Sequence, residues 1–169
     1  MIVTVHPAAA LAGTPSLPAD KSVAHRAALF AALADGESEI VGFSDAADPQ
    51  STVACLRALG VEFEERDDVL GPDGIPSLFV QGRGLDGLVE PAGPLDCGNS
   101  GTAARCMMAI AAGLSQPVSL DGDQSLRRRD MSALVEALRE LGCEVTSDAL
   151  PLTVTGPIVP GPAHLDVGT

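Results

Sequence analysis

The sequence predicts an α+β fold assembled from α/β-type repeats, with two stacked βαβαββ units followed by the opening of a third. Three observations carry this expectation. Leu17-Pro-Ala-Asp-Lys-Ser and Leu95-Asp-Cys-Gly-Asn-Ser each lead into an Ala/Leu-rich run of helical composition, ending at Ala34 and Ala112. Near-copies follow at corresponding places, Cys55-Leu-Arg-Ala-Leu-Gly-Val-Glu-Phe and Ala137-Leu-Arg-Glu-Leu-Gly-Cys-Glu-Val. Each half then closes on an alternating strand, Ser77-Leu-Phe-Val-Gln-Gly or Pro151-Leu-Thr-Val-Thr-Gly.

Taken in order, a strand at Leu17 precedes the first helix, and an apolar strand over Glu39 to Gly42 follows it. Leu59-Gly60 and Leu141-Gly142 read as helix C-terminal stops. Val61-Glu-Phe-Glu alternates as an exposed-edge strand does, and Gly71-Pro-Asp-Gly marks the turn after it. The acidic stretch from Glu62 to Asp73 reads as a solvated hairpin rather than a cation site. In the second half the helical run spans Thr102 to Ala112, a strand spans Val118 to Leu120, and a helix ends near Leu141. These signals divide the chain into unit one at about 15–85 and unit two at about 86–158, with a third beginning at about 159–169. The third is read from Leu165-Asp-Val-Gly-Thr, which matches Leu95-Asp-Cys-Gly-Asn. Thr169 then corresponds to Lys21 and Asn99, and the expectation is a polypeptide split where its third junction opens.

Composition narrows the function. The 169 residues carry 10 Lys+Arg against 23 Asp+Glu, a net charge of −13. A phosphate-tracking nucleic-acid surface needs clustered positive charge, so no nucleic-acid partner is expected. There is no Trp or Tyr, so the core must be Ala, Leu, Val and Ile. Cys55, Cys97, Cys106 and Cys143 form no Cys-x-x-Cys pair and no zinc spacing with His; each reads as a small buried hydrophobe. Met1-Ile-Val-Thr-Val-His-Pro has neither the basic nor the apolar region of a signal peptide. No apolar run reaches the roughly 18 residues of a membrane helix. A soluble, cytoplasmic protein without a membrane partner is expected.

The positive charge is concentrated. Six of the ten basic residues lie in or just after the loop-to-helix junctions: Lys21, Arg26, Arg105, Arg127, Arg128 and Arg129. Lys21, the only lysine, stands where the helix dipole disfavours a cation by about 0.3–1 kcal/mol. Arg127 to Arg129 read as the start of the helix ending near Leu141, the same unfavourable end. Cations and helix N-termini together hold phosphate or carboxylate, so the repeated misplacement points to a bound anion. Asn99-Ser-Gly-Thr adds backbone N–H groups unobstructed at Gly101, although the same tetrapeptide makes an ordinary turn and cap. Ser22 either caps its helix or donates to a ligand oxygen. His25 reads as a packed histidine, and His6 and His164 offer no constellation.

Lys21-Ser-Val-Ala-His-Arg26, Leu95-Asp-Cys-Gly-Asn-Ser-Gly-Thr-Ala-Ala-Arg105 and Gly122-Asp-Gln-Ser-Leu-Arg-Arg-Arg129 occur in that order. Together they resemble the EPSP synthase (3-phosphoshikimate 1-carboxyvinyltransferase) family of the shikimate pathway, which serves chorismate and aromatic amino acid biosynthesis. The resemblance runs along the whole chain but covers only the N-terminal part of the family's usual length. It implies an enolpyruvyl-transferase inside-out barrel, with residues 1–14 a strand associated with the second domain and 15–169 an incomplete N-terminal domain. It implies a catalytic Lys21 touching both substrates, with Ser22 and Arg26 holding shikimate 3-phosphate. Gly101 and Arg129 would hold phosphoenolpyruvate, Asn99 and Thr102 would shape that loop, and no cofactor or metal is implied. Two positions depart from the pattern: Cys106, where many relatives have Pro or Leu, and Asp130, where Pro commonly follows the arginine. Neither removes a ligand group, but Asp130 puts a negative charge beside the phosphoenolpyruvate site.

The chemistry fits small polyanionic substrates: cations balance charge, and an acid/base pair moves protons as a hydroxyl adds and phosphate leaves. Asp20, Asp45 and Asp48 read as caps and loop residues, so the carboxylate pair and further cations are expected from the C-terminal half of the enzyme. The isolated chain is therefore expected to be inactive. Two alternatives differ. UDP-N-acetylglucosamine enolpyruvyl transferase would show Lys-Asn at the first junction and a reactive Cys before the basic run; here stand Lys21-Ser22 and a loop, Asp121 to Leu126, without Cys. A non-catalytic anion-binding fragment would give no turnover even with its other half restored.

Overall fold

The computed structural model describes Thr4 and residues 19–70, 74 and 76–162. The expected strands within 1–14 and at Leu17, the Gly71-Pro-Asp part of the turn, His6, His164 and the junction at 165–169 lie outside these residues.

Asp20 is extended, and its Oδ1 accepts the Val23 N–H at 2.8 Å, opening α1 (Lys21–Leu33). Ser22 is therefore not the cap. Strand β1 (Asp35–Ile40) follows, then α2 (Ala47–Ala58), β2 (Glu62–Leu70) and β3 (Pro76–Arg83). The second unit repeats the plan with β4 (Leu95–Asp96), α3 (Gly101–Ala112), β5 (Val118–Asp121), α4 (Ser132–Glu140), β6 (Glu144–Val145) and β7 (Leu152–Thr155). Unit two is thus the full βαβαββ order, and unit one shows the same order from its first helix onward.

Two elements differ from expectation. β1 starts at Asp35 rather than Glu39, because its Asp-Gly-Glu-Ser-Glu-Ile sequence is held by the antiparallel ladder to β3 and not by an apolar face. Arg127 to Arg129 do not begin a helix. Leu126–Arg128 form a separate 3-10 turn, and Arg129 is extended. The Asp123 carboxylate takes the Leu126 N–H at 2.7 Å, and Asp130 Oδ1 takes the Ser132 N–H at 2.9 Å, so two aspartates divide the segment.

The repeat extends to details of packing. α2 and α4 both end with Schellman geometry: Gly60 (φ +91°) and Gly142 (φ +89°) occupy the left-handed position, and Val61 and Cys143 donate back to Leu56 and Leu138. Gly82 and Gly156 close the last strand of each unit. A Cβ on Gly82 would strike the Ala31 and Ala34 carbonyl oxygens, and one on Gly156 would strike the Ala112 carbonyl oxygen. Glycine at both places lets the strand meet the end of the unit's first helix.

The strand order is β1-β3-β2 in unit one and β4-β5-β7-β6 in unit two, where β4 and β5 are parallel. The described strands form two open sheets, so the barrel is not closed within them. Helices α1 and α2 cover one sheet and α3 and α4 the other, and α2 packs on α3 to join the units. One apolar cluster runs through both, from Ala28 and Leu56 to Met107, Met108 and Val154. Cys55, Cys97 and Cys143 are buried in it as free thiols, and Cys106 is half-buried. The outer face of the first sheet is polar: Arg66 bridges Glu37 and Glu64 over the Phe79 ring, and Arg83 pairs with Glu62. Over Glu62 to Arg66 this matches the solvated hairpin expected of the acidic stretch, whose residues 71–73 lie outside the described residues.

Candidate functional site

The first junction places Lys21 at the first residue of α1, with Nζ 3.0 Å from Asp48 Oδ2 in the first turn of α2. This contact neutralises part of the charge that the helix dipole opposes. Ser22 and Arg26, one turn apart on an exposed face, have no side-chain hydrogen-bond partner among the described residues. His25 faces inward, 3% exposed, with Nδ1 2.7 Å from the buried Thr52 hydroxyl. Burial holds its pKa below the usual histidine value, and the Asp48 carboxylate only partly offsets this. It ties α1 to α2, as a packed histidine does.

The second junction is tighter. After β4 the chain turns at Gly98 (φ +56°), whose N–H binds Asp96 Oδ1 at 2.8 Å. Ser100 then caps α3, its hydroxyl accepting the Ala103 N–H at 3.1 Å. Two guanidinium groups close over Gly101: a Cβ there would stand 2.8 Å from Arg129 Nη1 and 2.9 Å from Arg105 Nη1. Arg129 Nη2 donates to Asn99 Oδ1 at 2.6 Å. Arg105 donates to the carbonyls of Gly101 and Asp130, at 3.3 and 3.1 Å. These direct partners are neutral, so neither guanidinium is in a salt bridge among the described residues, although the Asp123 and Asp130 carboxylates lie within electrostatic reach of Arg129 and Arg105, respectively. Thr102 is exposed and makes no side-chain hydrogen bond among the described residues.

Arg127 is different. Its Nε and Nη2 bind Asp121 Oδ1 and Oδ2 at 2.8 and 2.6 Å, a two-point ion pair that removes it from the set of available cations. The hydrogen bonds from Arg127 hold the Asp121 carboxyl below its ordinary value. Arg128 is exposed, with no side-chain hydrogen-bond partner among the described residues. Asp130 does not aim its carboxylate at Arg129: the Ser132 hydrogen bonds take it and lower its pKa.

The two junctions meet along one face of α2. Asp48 reaches Lys21, and three residues on, the Ser51 hydroxyl stands 2.8 Å from where a Gly98 Cβ would be. Helix α2 therefore touches both junctions, Lys21 through Asp48 and Gly98 through Ser51, and the Arg105–Arg129 pair stands over Gly101, three residues after Gly98. That array can bind small anions carrying more than one charge. Sequence reading missed three contributions: Asp48 as the partner of Lys21, Arg105 as a clasp on two carbonyls, and Asp123, which accepts from Asn99 Nδ2 at 2.7 Å. Asp123 sits inside the Gly122-to-Arg129 motif, and its place there is the signal that could have singled it out.

Residues 5–167 match the EPSP synthase (3-phosphoshikimate 1-carboxyvinyltransferase) family. Similar curated proteins carry that enzyme's name. The one from Salinibacter ruber is 46% identical over 145 residues, 86% of this chain and 32% of its own length. That from Gloeobacter violaceus is 48% identical over 145 residues, 84% and 32% of the respective chains. That from Herpetosiphon aurantiacus is 44% identical over 162 residues, 94% and 36%. A solved structure of EPSP synthase from Acinetobacter baumannii superposes with a TM-score of 0.76 at 31% identity, over 86% of this chain and 32% of that one. The chain spans about a third of the length of the curated relatives it matches. A match over almost its whole length, with the repeat and both junctions in place, makes this chain a member of the EPSP synthase family.

Proposed function

We propose that the chain carries one side of an active site that transfers the enolpyruvyl group of phosphoenolpyruvate to the 5-hydroxyl of shikimate 3-phosphate. The observation that supports this most is the pair of guanidinium groups over Gly101, neither of them in a direct salt bridge, at a junction that α2 touches as it also touches Lys21. In this reading Arg129 and the Gly101 backbone hold phosphoenolpyruvate, Ser22 and Arg26 hold shikimate 3-phosphate, and Lys21 touches both. Asn99 fixes the Arg129 guanidinium, and Thr102 borders the loop. The 5-hydroxyl oxygen bonds to C2 of phosphoenolpyruvate while its own proton passes to a base and an acid protonates C3. A base then removes a proton from C3, the C2–C3 double bond re-forms, and inorganic phosphate leaves from C2. Lys21 and Arg129 stabilise the anionic groups through both steps.

The aspartates of the first junction supply no free carboxylate pair for those proton transfers. Asp20 caps α1, Asp48 is paired with Lys21, and Asp45 lies in the loop before α2. Turnover therefore requires the further length that the relatives possess, and the 169 residues alone are inactive. In the same reading 15–85 and 86–158 are two of the units of an N-terminal domain, 159–169 opens a third, and 1–14 joins the second domain. Its place of work is the cytoplasm; no helix among the described residues is long and apolar enough to cross a membrane.

With the site open to water, each charged contact is worth little, and binding on the order of millimolar, about 4 kcal/mol, is expected. NMR titration is the suitable assay, because the chain has no Trp or Tyr to report by fluorescence. Phosphoenolpyruvate should shift residues 99–105 and 129, shikimate 3-phosphate should shift 20–26, and added salt should weaken both. Shifts elsewhere would overturn the assignment, and phosphate release by the chain alone would overturn its incompleteness.

A further inference from the structure

We propose that Asp123 is a positioning residue for the anion site: through Asn99 it sets the direction in which Arg129 presents its guanidinium group. The proposal rests on the reading of Arg129 as an anion ligand. Its geometric basis is a three-residue relay. Asp123 Oδ2 accepts from Asn99 Nδ2 at 2.7 Å, and Asn99 Oδ1 accepts from Arg129 Nη2 at 2.6 Å.

The chemistry of the two ends leaves Asn99 one orientation. A carboxylate only accepts and a guanidinium only donates, so the amide must turn its NH2 to Asp123 and its oxygen to Arg129. Asp123 is itself fixed at three further points. Its Oδ1 takes the Leu126 N–H at 2.7 Å, its own N–H donates to the Gly98 carbonyl at 2.8 Å, and its carbonyl accepts from the Arg127 N–H at 3.0 Å. The relay therefore connects the 3-10 turn that carries the arginines to the loop that opens α3. Hydrogen bonds from Leu126 and Asn99 hold the Asp123 carboxyl below its ordinary pKa, so it is ionised at neutral pH.

Asp123→Asn separates positioning from charge. Its oxygen can still accept the Leu126 N–H, which keeps the turn, but its NH2 then faces the NH2 of Asn99. Asn99 either loses that contact, leaving the oxygen that receives Arg129 unfixed, or flips and offers an NH2 to Arg129; in both cases the direction of Arg129 is no longer set. A bystander carboxylate beside an anion site behaves oppositely, because removing a negative charge strengthens anion binding. Asp130→Asn supplies that comparison: it also removes a negative charge coupled to the guanidinium pair, through Arg105, but it leaves Asn99 untouched.

The test uses the full 169-residue chain at pH 7.5, with inorganic phosphate as the probe. Two readouts are taken by NMR: proton exchange of the Asn99 carboxamide without phosphate, and phosphate affinity. Asp123→Asn should speed the Asn99 exchange and weaken phosphate about two- to fivefold, despite the more favourable net charge. Asp130→Asn should leave the exchange unchanged and bind phosphate as tightly as the parent or tighter. Urea unfolding should show the same midpoint for Asp123→Asn as for the parent. Unchanged Asn99 exchange in Asp123→Asn, or phosphate binding equal to or tighter than the parent's, would overturn the positioning role. Phosphate shifts that persist in Arg129→Gln would instead overturn the assignment of the anion site, and the exchange comparison would still decide the relay.

Discussion

Replacing Gly101 with alanine separates what the loop does for the fold from what it does for the site. The glycine is the first residue of α3 and does not have positive φ, so alanine suits the backbone. Loss of unfolded-state freedom alone would stabilise the chain by up to about 0.4–1 kcal/mol. The new Cβ, however, would stand 2.8 Å from Arg129 Nη1 and 2.9 Å from Arg105 Nη1. Both are the far ends of flexible side chains, so each guanidinium group can retreat by roughly half an ångström to ordinary contact without moving the backbone. The retreat disturbs the 2.6 Å bond from Arg129 to Asn99 and turns the cation from the loop. A misdirected charge-assisted contact is worth about 1–1.4 kcal/mol here, a five- to tenfold loss of phosphoenolpyruvate affinity. Urea unfolding followed by circular dichroism should show equal or greater stability, while NMR titration shows the weaker binding. Unchanged affinity in a folded variant would refute the reasoning, and so would destabilisation beyond about 1 kcal/mol, since the Cβ would then be striking something rigid.

Arg129→Lys should weaken phosphoenolpyruvate about tenfold and shikimate 3-phosphate less than twofold, because lysine cannot reproduce the two-point guanidinium contact; equal losses by titration would count against the assignment. His25 gives a pH dependence with a definite sign. Its folded pKa lies below the value near 6.5 of the unfolded chain, so the unfolded state binds the extra proton and stability falls as pH drops below about 6.5. The slope, at most about 1.4 kcal/mol per pH unit, should be smaller in His25→Gln when urea midpoints are compared between pH 7.5 and 5. Gly156→Ala should cost about 1–3 kcal/mol or more, because its Cβ meets the Ala112 and Leu114 carbonyl oxygens, which are rigid backbone atoms; thermal unfolding measures this directly.

The repeat was legible because it is written in local signals: the Asp20 cap, the Leu-Gly stops and the closing strands each follow from a few adjacent residues. β1 was mislocated because an edge strand reading Asp-Gly-Glu-Ser-Glu-Ile has no apolar alternation, and its register to β3 comes from pairing across the sheet. The extent of α4 was misjudged for a related reason. Nothing in three successive arginines announces that Asp123 will bind the Leu126 N–H at the start of a 3-10 turn and Asp130 the Ser132 N–H at the start of the helix that follows. At the site, the residue types and the motifs that carry them were readable, and the pairings were not. Arg127 and Arg129 are equivalent in composition, yet one is bound directly by Asp121 and the other by a neutral amide. That difference arises from the path of the turn. Lys21–Asp48 and Asn99–Asp123 join residues 27 and 24 positions apart, separations that only the packing of α2 and the second junction closes.

The central claim is that this chain supplies the Lys21 and Arg129 side of an enolpyruvyl-transfer site. The most direct test replaces the matching segment of the Salinibacter ruber relative with this chain and measures phosphate release from phosphoenolpyruvate and shikimate 3-phosphate. The account predicts that the hybrid turns over, and that Arg129→Ala within it lowers turnover at least about 100-fold while leaving the unfolding midpoint unchanged. A folded hybrid that is inactive, or one in which Arg129→Ala is without effect, would contradict it.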